Sequence, residues 1–447
     1  MQYIFFILIL CSFSFQSSVS HSQTLIRDTE IETTLKEWST PIFEAAGLVP
    51  DNVNIILIQN NNLNAFVAGG ANIFLYTGLL EAAENPGEII GVIAHETGHI
   101  SGGHLVRLRG SIEQASYETI IGTILGIGAA VLTGEGAAAG AIISGTQNVA
   151  AQRFLSNSRL NESSADQAAL KYMNASKLNP AGLLTFLEQL EGNELLPQDK
   201  QSEYVRTHPL TSNRIDALRT KINNSPYQNA SFPSEWNEQF DRMQAKLKGF
   251  ISPEQVKWQY QSTDNSTASL YARTIAAYRL NNIDFAIQAS DQLLKREPNN
   301  PYFLELRGQM LVDFSRVEQA LPFYKRAVEI LPKAALIRAA YAHALIENAN
   351  RHKNDQQLKQ AIEELEIARR TEHRSTRIYR LLATAHGRLG DEVKARLNLA
   401  EEAVLQRRMP DAKRFAKYVL DNTEDNQPEK LRAADIINYV EEIEKDS

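Results

Sequence analysis

Apolar and polar positions change register several times along the chain, and each change predicts an element. Between Thr29 and Ala46 apolar residues recur at helical spacing, the mark of an amphipathic helix. Asn54 to Gln59 and Ala71 to Tyr76 are short runs rich in β-branched and aromatic residues. The polar turn Asn60-Asn61-Asn62 and the pair Gly69-Gly70 lie between them, so both runs predict strands. A helix is expected from about Asn85 to His104. Its stretch Ile89-Ile90-Gly91-Val92-Ile93-Ala94 is apolar on every face, which requires burial. Thr119 to Thr146 is rich in Gly, Ala and Ile, and Gly134-Glu135-Gly136 splits it into halves too short to span a bilayer. A buried helical hairpin is one reading of it; a lid or membrane-touching flap is the other.

Beyond about Asn223 the composition shifts toward Asn, Ser, Pro and Gln as far as Ser266, around a helix near Glu235 to Lys248. This predicts a connection between domains. After it the pattern repeats. Ala286, Ala320, Ala361 and Ala395 each open a second helix, and Pro298 and Pro332 follow the first two alanines by the same interval. In the unit Pro301 to Lys333, the residues Gly308, Leu311, Ala320, Tyr324, Ala327 and Pro332 fall where a tetratricopeptide repeat needs them. Small residues let antiparallel helices approach, the aromatic fills the gap, and proline ends the second helix. The unit starting at Ala335 carries an insertion around Arg351 to Leu358. The expected fold is mainly α (α+β). A helical zincin-type domain with a small β-sheet spans 21–222, a connection with one helix spans 223–266, and a solenoid of helical repeats spans 267–447.

Residues 1–20 read differently. Tyr3 to Phe15 is almost wholly apolar but short for a membrane span, and Ser18-Val19-Ser20 offers small residues for cleavage after Ser20. This predicts an export signal, despite the absence of Lys or Arg before the apolar run. Cys11, the single cysteine, lies inside it. The exported chain would have no disulfide and no thiolate, so a metal would depend on nitrogen and oxygen ligands. Of 447 residues, 43% are hydrophobic and 22% charged, enough for real cores; the net charge of −7 argues against nucleic acid as a partner.

The chemistry centres on His95-Glu96-Thr97-Gly98-His99. Histidines at i and i+4 project from one helix face and can share one zinc ion, with Glu96 beside the metal to take a proton from water. Downstream, Asn161-Glu162-Ser163-Ser164-Ala165-Asp166 on a second helix offers Glu162 as a third ligand and Asp166 one turn later. Asp166 is either a support for a ligand imidazole, His95 being the candidate, or a solvated carboxylate. His104 is one place early for the third histidine of an H-E-x-x-H-x-x-G-x-x-H site, where Leu105 stands, and reads as structural. A His2Glu set with an open position is a catalytic rather than a structural zinc arrangement, one ion per chain. The substrate would lie extended along Ala71, Asn72, Ile73 and Phe74, read as an edge strand.

The order H-E-x-x-H then N-E-x-x-A-D resembles the glutamate-zincin peptidases that include HtpX and the CAAX prenyl proteases. So do Asn64-Ala65-Phe66, Gly69-Gly70, Tyr76-Thr77-Gly78-Leu79-Leu80, Arg206-Thr207-His208-Pro209 and Asn213-Arg214. The chain departs from that pattern at Gly98 and in the Gly/Ala-rich segment. The signal and C-terminal repeats are similar to those of the family's periplasmic members. The resemblance implies Glu162 as third zinc ligand with Asp166 supporting it, and Arg214 as structural or transition-state support. It implies that His208 either approaches the zinc and holds the enzyme latent, or stabilises an oxyanion. It further implies a periplasmic endopeptidase in quality control of unfolded or misfolded outer-membrane proteins, whose repeats engage the β-barrel assembly machinery, with possible peripheral membrane contact. The rival from another class is a non-proteolytic repeat chaperone or adaptor with a structural zinc, which would not need Glu96.

Overall fold

The computed structural model describes residues 24–103, 147–197 and 200–446. The export signal with Cys11, His104 and the Gly/Ala-rich segment 119–146 lie outside the described residues. Among the described residues no helix is long and apolar enough to cross a membrane. The chain divides into two units: residues through Ile26 with Trp38–Phe232, and Arg27–Glu37 with Pro233–Ser447.

The first unit carries a four-stranded sheet of β1 (Thr24–Ile26), β2 (Asn54–Gln59), β3 (Ala65–Ala68) and β4 (Asn72–Tyr76), in the order β1-β2-β4-β3. β2 and β4 run parallel, with Asn54 opposite Asn72 and Ile58 opposite Tyr76; β3 is antiparallel to β4, with Ala65 opposite Leu75. This corrects the expectation that residues 71–76 form an edge. Asn72, Ile73 and Phe74 lie in a strand paired on both sides, and all five β4 residues are buried. Among the described residues the free edge on this side belongs to β3, which is too short and too alanine-rich to stand out by periodicity.

The helices of this unit are α1 (Thr29–Ala45, whose first residues belong to the other unit), α2 (Thr77–Ala82), α3 (Pro86–Ser101), α4 (Gln147–Ala175), α5 (Ala181–Gln189), α6 (Glu203–Thr207) and α7 (Ser212–Asn223). Pro86 starts α3 with φ already set, at the one place where a missing N–H costs nothing. Ile89, Ile90, Val92 and Ile93 are fully buried, each stabilising the fold by roughly 1.5–3 kcal/mol. Two glycines let α3 sit unusually close to its neighbours. A Cβ at Gly91 would lie 2.6 Å from the Leu183 nitrogen of α5, and one at Gly98 would lie 2.8 Å from the Ala165 carbonyl oxygen of α4. Gly98, the departure within the zinc motif, is therefore the contact point that brings α4 onto the histidine face of α3.

The second unit is built of helices: α8 (Ser234–Ile251), the short α9 (Val256–Gln259), then the pairs α10 (Thr267–Arg279) with α11 (Ile283–Arg296), α12 (Pro301–Asp313) with α13 (Val317–Ile330), α14 (Ala335–His352) with α15 (Asp355–Arg369), α16 (Thr376–Arg388) with α17 (Glu392–Leu405), and α18 (Met409–Asp421) with α19 (Pro428–Asp446). The pairing follows the expected repeat: Ala286, Ala320 and Ala361 are fully buried, and a Cβ at Gly308 would strike the Tyr324 ring at 2.8 Å. α14 has 18 residues against 13 in α12, and the insertion read around Arg351 to Leu358 falls at its C-terminal end, in the turn and in the first residues of α15. Within the segment read as a connection, α8 packs on α10, and a Cβ at Gly249 would meet Ile275 at 2.8 Å.

Candidate metal centre

Four elements of the first unit deliver the site. His95 and His99 stand one turn apart on α3, Glu162 and Asp166 one turn apart on α4, His208 caps the C-terminus of α6, and Arg214 lies in the first turn of α7. One ligand atom each from His95, His99, Glu162 and His208 lies within 4.8 Å of the other three. His95 Nε2 is 3.1 Å from His99 Nε2 and 3.2 Å from Glu162 Oε2; His99 Nε2 is 3.4 Å from Glu162 Oε1. His208 Nδ1 lies 3.2 Å from Glu162 Oε2 and 3.4 Å from His95 Nε2, while its Nε2 faces the Ala65 carbonyl of edge strand β3 at 3.0 Å.

Asp166 settles the orientation of His95. One of its oxygens lies 3.0 Å from His95 Nδ1, so in the neutral ring that nitrogen carries the proton and Nε2 presents its lone pair to the cluster. Arg214 holds Asp166 through Nε at 2.8 Å and Nη2 at 2.9 Å, a bidentate pair, and its Nη1 reaches Glu162 at 3.2 Å and the Pro209 carbonyl at 2.8 Å. Burial opposes ionisation of Asp166, but His95 and Arg214 outweigh it and lower its pKa. Asp166 and Arg214 are thus joined as one support beneath the ligands.

The donor set fits a divalent cation. With neutral imidazoles, the carboxylates of Glu96, Glu162 and Asp166 face the single guanidinium of Arg214, which leaves two negative charges uncompensated in a buried site. The imidazoles register this charge. Burial lowers the pKa of His95, yet Asp166 and Glu162 overcome it and hold the group up at about 10; His208 is raised against burial by Glu96 and Glu162. Glu162 is held well below the usual carboxylate range, its burial outweighed by His208 and His95. Glu96 goes the other way, raised by burial. Both of its oxygens are buried without a hydrogen-bond partner, though Oε1 is 3.3 Å from His208 Nε2. A buried carboxylate without a hydrogen bond, facing the His208 ring and set beside converging metal donors, is a group placed to take a proton.

All site residues expected from the motifs therefore meet in one place, save the strand residues: Asn72, Ile73 and Phe74 are in a paired strand, and β3 meets the cluster instead. Tyr204, on α6, escaped the sequence reading. Its ring stacks on His208 at 4.6 Å between centroids and 28° between planes, and packs edge-on against Phe186 at 5.1 Å. Its hydroxyl is buried and unpartnered. No local pattern marks such a tyrosine; only its place four residues before His208, on the same short helix, could have drawn notice.

Fold and site together define a metallopeptidase-type domain joined to a domain of helical repeats. Residues 26–222 match the model of peptidase family M48, and residues 247–418 match that of a tetratricopeptide repeat. It is similar to the beta-barrel assembly-enhancing protease of Escherichia coli (strain K12), with 24% identity over 318 residues, 69% of this chain and 64% of that protein. The corresponding protein of Yersinia pestis is 26% identical over 294 residues, 64% of this chain and 59% of that protein. The metalloprotease LoiP of E. coli is 26% identical over 176 residues, 38% of this chain and 63% of that protein. The chain thus spans somewhat less than two thirds of the length of these relatives. The family match and the converging donors both point to a bound metal ion in the His95, His99, Glu162 and His208 cluster.

Proposed function

We propose that this protein is a zinc-dependent endopeptidase, and the observation that carries the reading is the buried Glu96 carboxylate, without a hydrogen bond, beside the His95, His99 and Glu162 donors. A structural metal would leave such a carboxylate a cost without a use. Zinc held by these three residues, one ion per chain, would supply Lewis acidity toward a peptide carbonyl and toward water. The chain's own groups then act as follows. Asp166 and Arg214 hold the imidazole of His95 in one tautomer. Glu96, its pKa raised by burial, accepts a proton from water on a carboxylate oxygen and returns it to the leaving amine. An extended substrate adds along β3, whose backbone groups at Ala65–Ala68 offer the open side of the sheet. His208 stands across that path: it spans Ala65, Glu96 and Glu162, fills the position a substrate carbonyl would take, and keeps the enzyme latent until it moves.

Two of the relatives are named as enhancing β-barrel assembly. On that likeness, the clients are unfolded or misfolded outer-membrane proteins, the repeats engage the β-barrel assembly machinery, and the compartment is the periplasm, reached through the N-terminal signal. Nucleic acid has no part in it. The test compares cleavage of an unfolded protein by wild type, Glu96→Gln and His208→Ala, with zinc content measured on each. Cleavage by wild type or His208→Ala but not by Glu96→Gln supports the peptidase. Zinc-loaded proteins that never cleave would shift the function to the repeats.

A further inference from the structure

The apolar cores of the repeats are assembled from residues 245 onward, yet Arg27–Glu37, from the opposite end of the sequence, belong to the same unit. They are held by charge as well as by burial. Glu30, 1% exposed, accepts from Arg242 Nε at 2.9 Å and Lys246 Nζ at 3.3 Å on α8, and from the Tyr271 hydroxyl at 2.9 Å on α10. Lys246 Nζ also meets Asp28 at 2.7 Å. Thr33 hydrogen-bonds Tyr302 at the start of α12, Arg27 pairs with Glu372 at 2.6 Å, and Gln239 of α8 donates to Glu37 at 3.1 Å. Ile31 and Leu35, four residues apart on the same helix face, are buried.

The segment docks by two means at once, its carboxylates and a buried apolar face. Opposite it stands a face with Arg242, Lys246 and the Tyr271 hydroxyl, with Glu297 and Glu305 nearby, and the carboxylates of Asp28 and Glu30 are its counterparts. Buried Lys246 and half-buried Arg242 lose their hydrogen-bonded carboxylates without the segment and keep only the more distant Glu305 and Glu297, so the face has affinity for whatever supplies such carboxylates. We propose that the face formed by α8, α10 and α12 is a receptor for an acidic segment of another polypeptide, with two carboxylates two residues apart followed by apolar residues at helical spacing. In this structure the chain's own Arg27–Glu37 fills it. The receptor is independent of the peptidase reading, and its test measures binding alone.

A fluorescently labelled peptide of residues 27–37 is titrated with the full chain and followed by anisotropy. The full chain carrying Asp28→Asn and Glu30→Gln should bind the peptide at least tenfold tighter than wild type, because its own segment competes poorly. Adding Lys246→Met should remove that gain, and a peptide with the same two carboxylates neutralised should not bind. Equal binding by wild type and the double variant, or binding indifferent to Lys246→Met, overturns the proposal. Hydrogen exchange on the wild type needs no variant and decides alone if the double variant does not fold. Amides of residues 31–37 should exchange at least tenfold faster than those of α10, by local release of the segment. Exchange of both at one common rate would make the segment an integral part of the core.

Discussion

Loading the metal should expel protons, and the count follows from the site. Without a cation, two uncompensated negative charges draw protons onto the imidazoles, and His95 is held up at about 10. At pH 7 it is then almost fully protonated at the nitrogen that must become a ligand. Coordination needs that lone pair, so one proton leaves from His95, and a second leaves if His208, also raised, coordinates as well. Titrating chelator-treated protein with zinc by calorimetry, in buffers of different ionisation enthalpy, gives the number directly as the slope of apparent against buffer enthalpy. The expected slope is about one to two protons released at pH 7, with a tenfold change in affinity per pH unit per proton. The same linkage fixes the stability of the metal-free chain. A raised folded pKa means that the contribution of His95 is complete below about 6.5, declines as pH rises from there toward about 10, and is absent beyond. Urea unfolding in chelator should show that decline. A slope of zero would refute the charge argument, because it would mean that the carboxylates are already compensated.

Other outcomes follow from the same geometry. Glu96→Gln should retain metal and stability but lose cleavage by at least a hundredfold, the usual scale for general acid–base catalysis, read by peptide hydrolysis and metal analysis on one sample. Arg214→Met leaves Asp166 buried with His95 as its remaining partner and should cost roughly 3–5 kcal/mol in urea unfolding at neutral pH. Because the folded pKa of Asp166 lies below 3.8, that cost should shrink as pH falls through this value. Gly98→Ala drives a methyl group against the Ala165 backbone and should cost about 1–3 kcal/mol and weaken metal binding, since α4 carries Glu162. Tyr204→Leu frees the His208 ring from its stack; if His208 enforces latency, peptide cleavage should rise while zinc content stays constant.

Much of this site was legible because ligand spacing is a helical property. His95 and His99, and Glu162 and Asp166, repeat at i and i+4, so one face of each helix could be named from the sequence. The repeats were legible for a similar reason: Ala286 and Pro298 recur at one interval as Ala320 and Pro332, and between them Gly308 makes room for Tyr324. The strand order was not legible. Residues 54–59 and 71–76 carry the β-rich pattern because both are interior strands, whereas β3 has only four residues, two of them alanine, too few to stand out. A clear strand pattern therefore marked the buried strand, and the edge strand went unread. The turns between repeat helices were equally silent, since Asn281, Ser315 and Lys353 adopt positive φ where glycine would be expected.

The placement of Gly98 ties these levels together. A zinc motif fixes two ligands on one helix, but the third must come from elsewhere, and its distance from the histidines is set by how closely the two backbones cross. With a side chain at position 98, the Ala165 carbonyl would have to retreat from a Cβ at 2.8 Å, and Glu162 and Asp166, which flank Ala165 on α4, would retreat with it. Asp166 would lose its 3.0 Å contact to His95, and with it the tautomer that directs Nε2 toward the ligand cluster. The departure from the family pattern at this position is thus the feature that sets ligand geometry in this chain. It follows that a compensating change, Ala165→Gly, should restore metal affinity to Gly98→Ala only in part. It would remove a side chain, while the close contacts at Gly98 are with the Ala165 backbone itself.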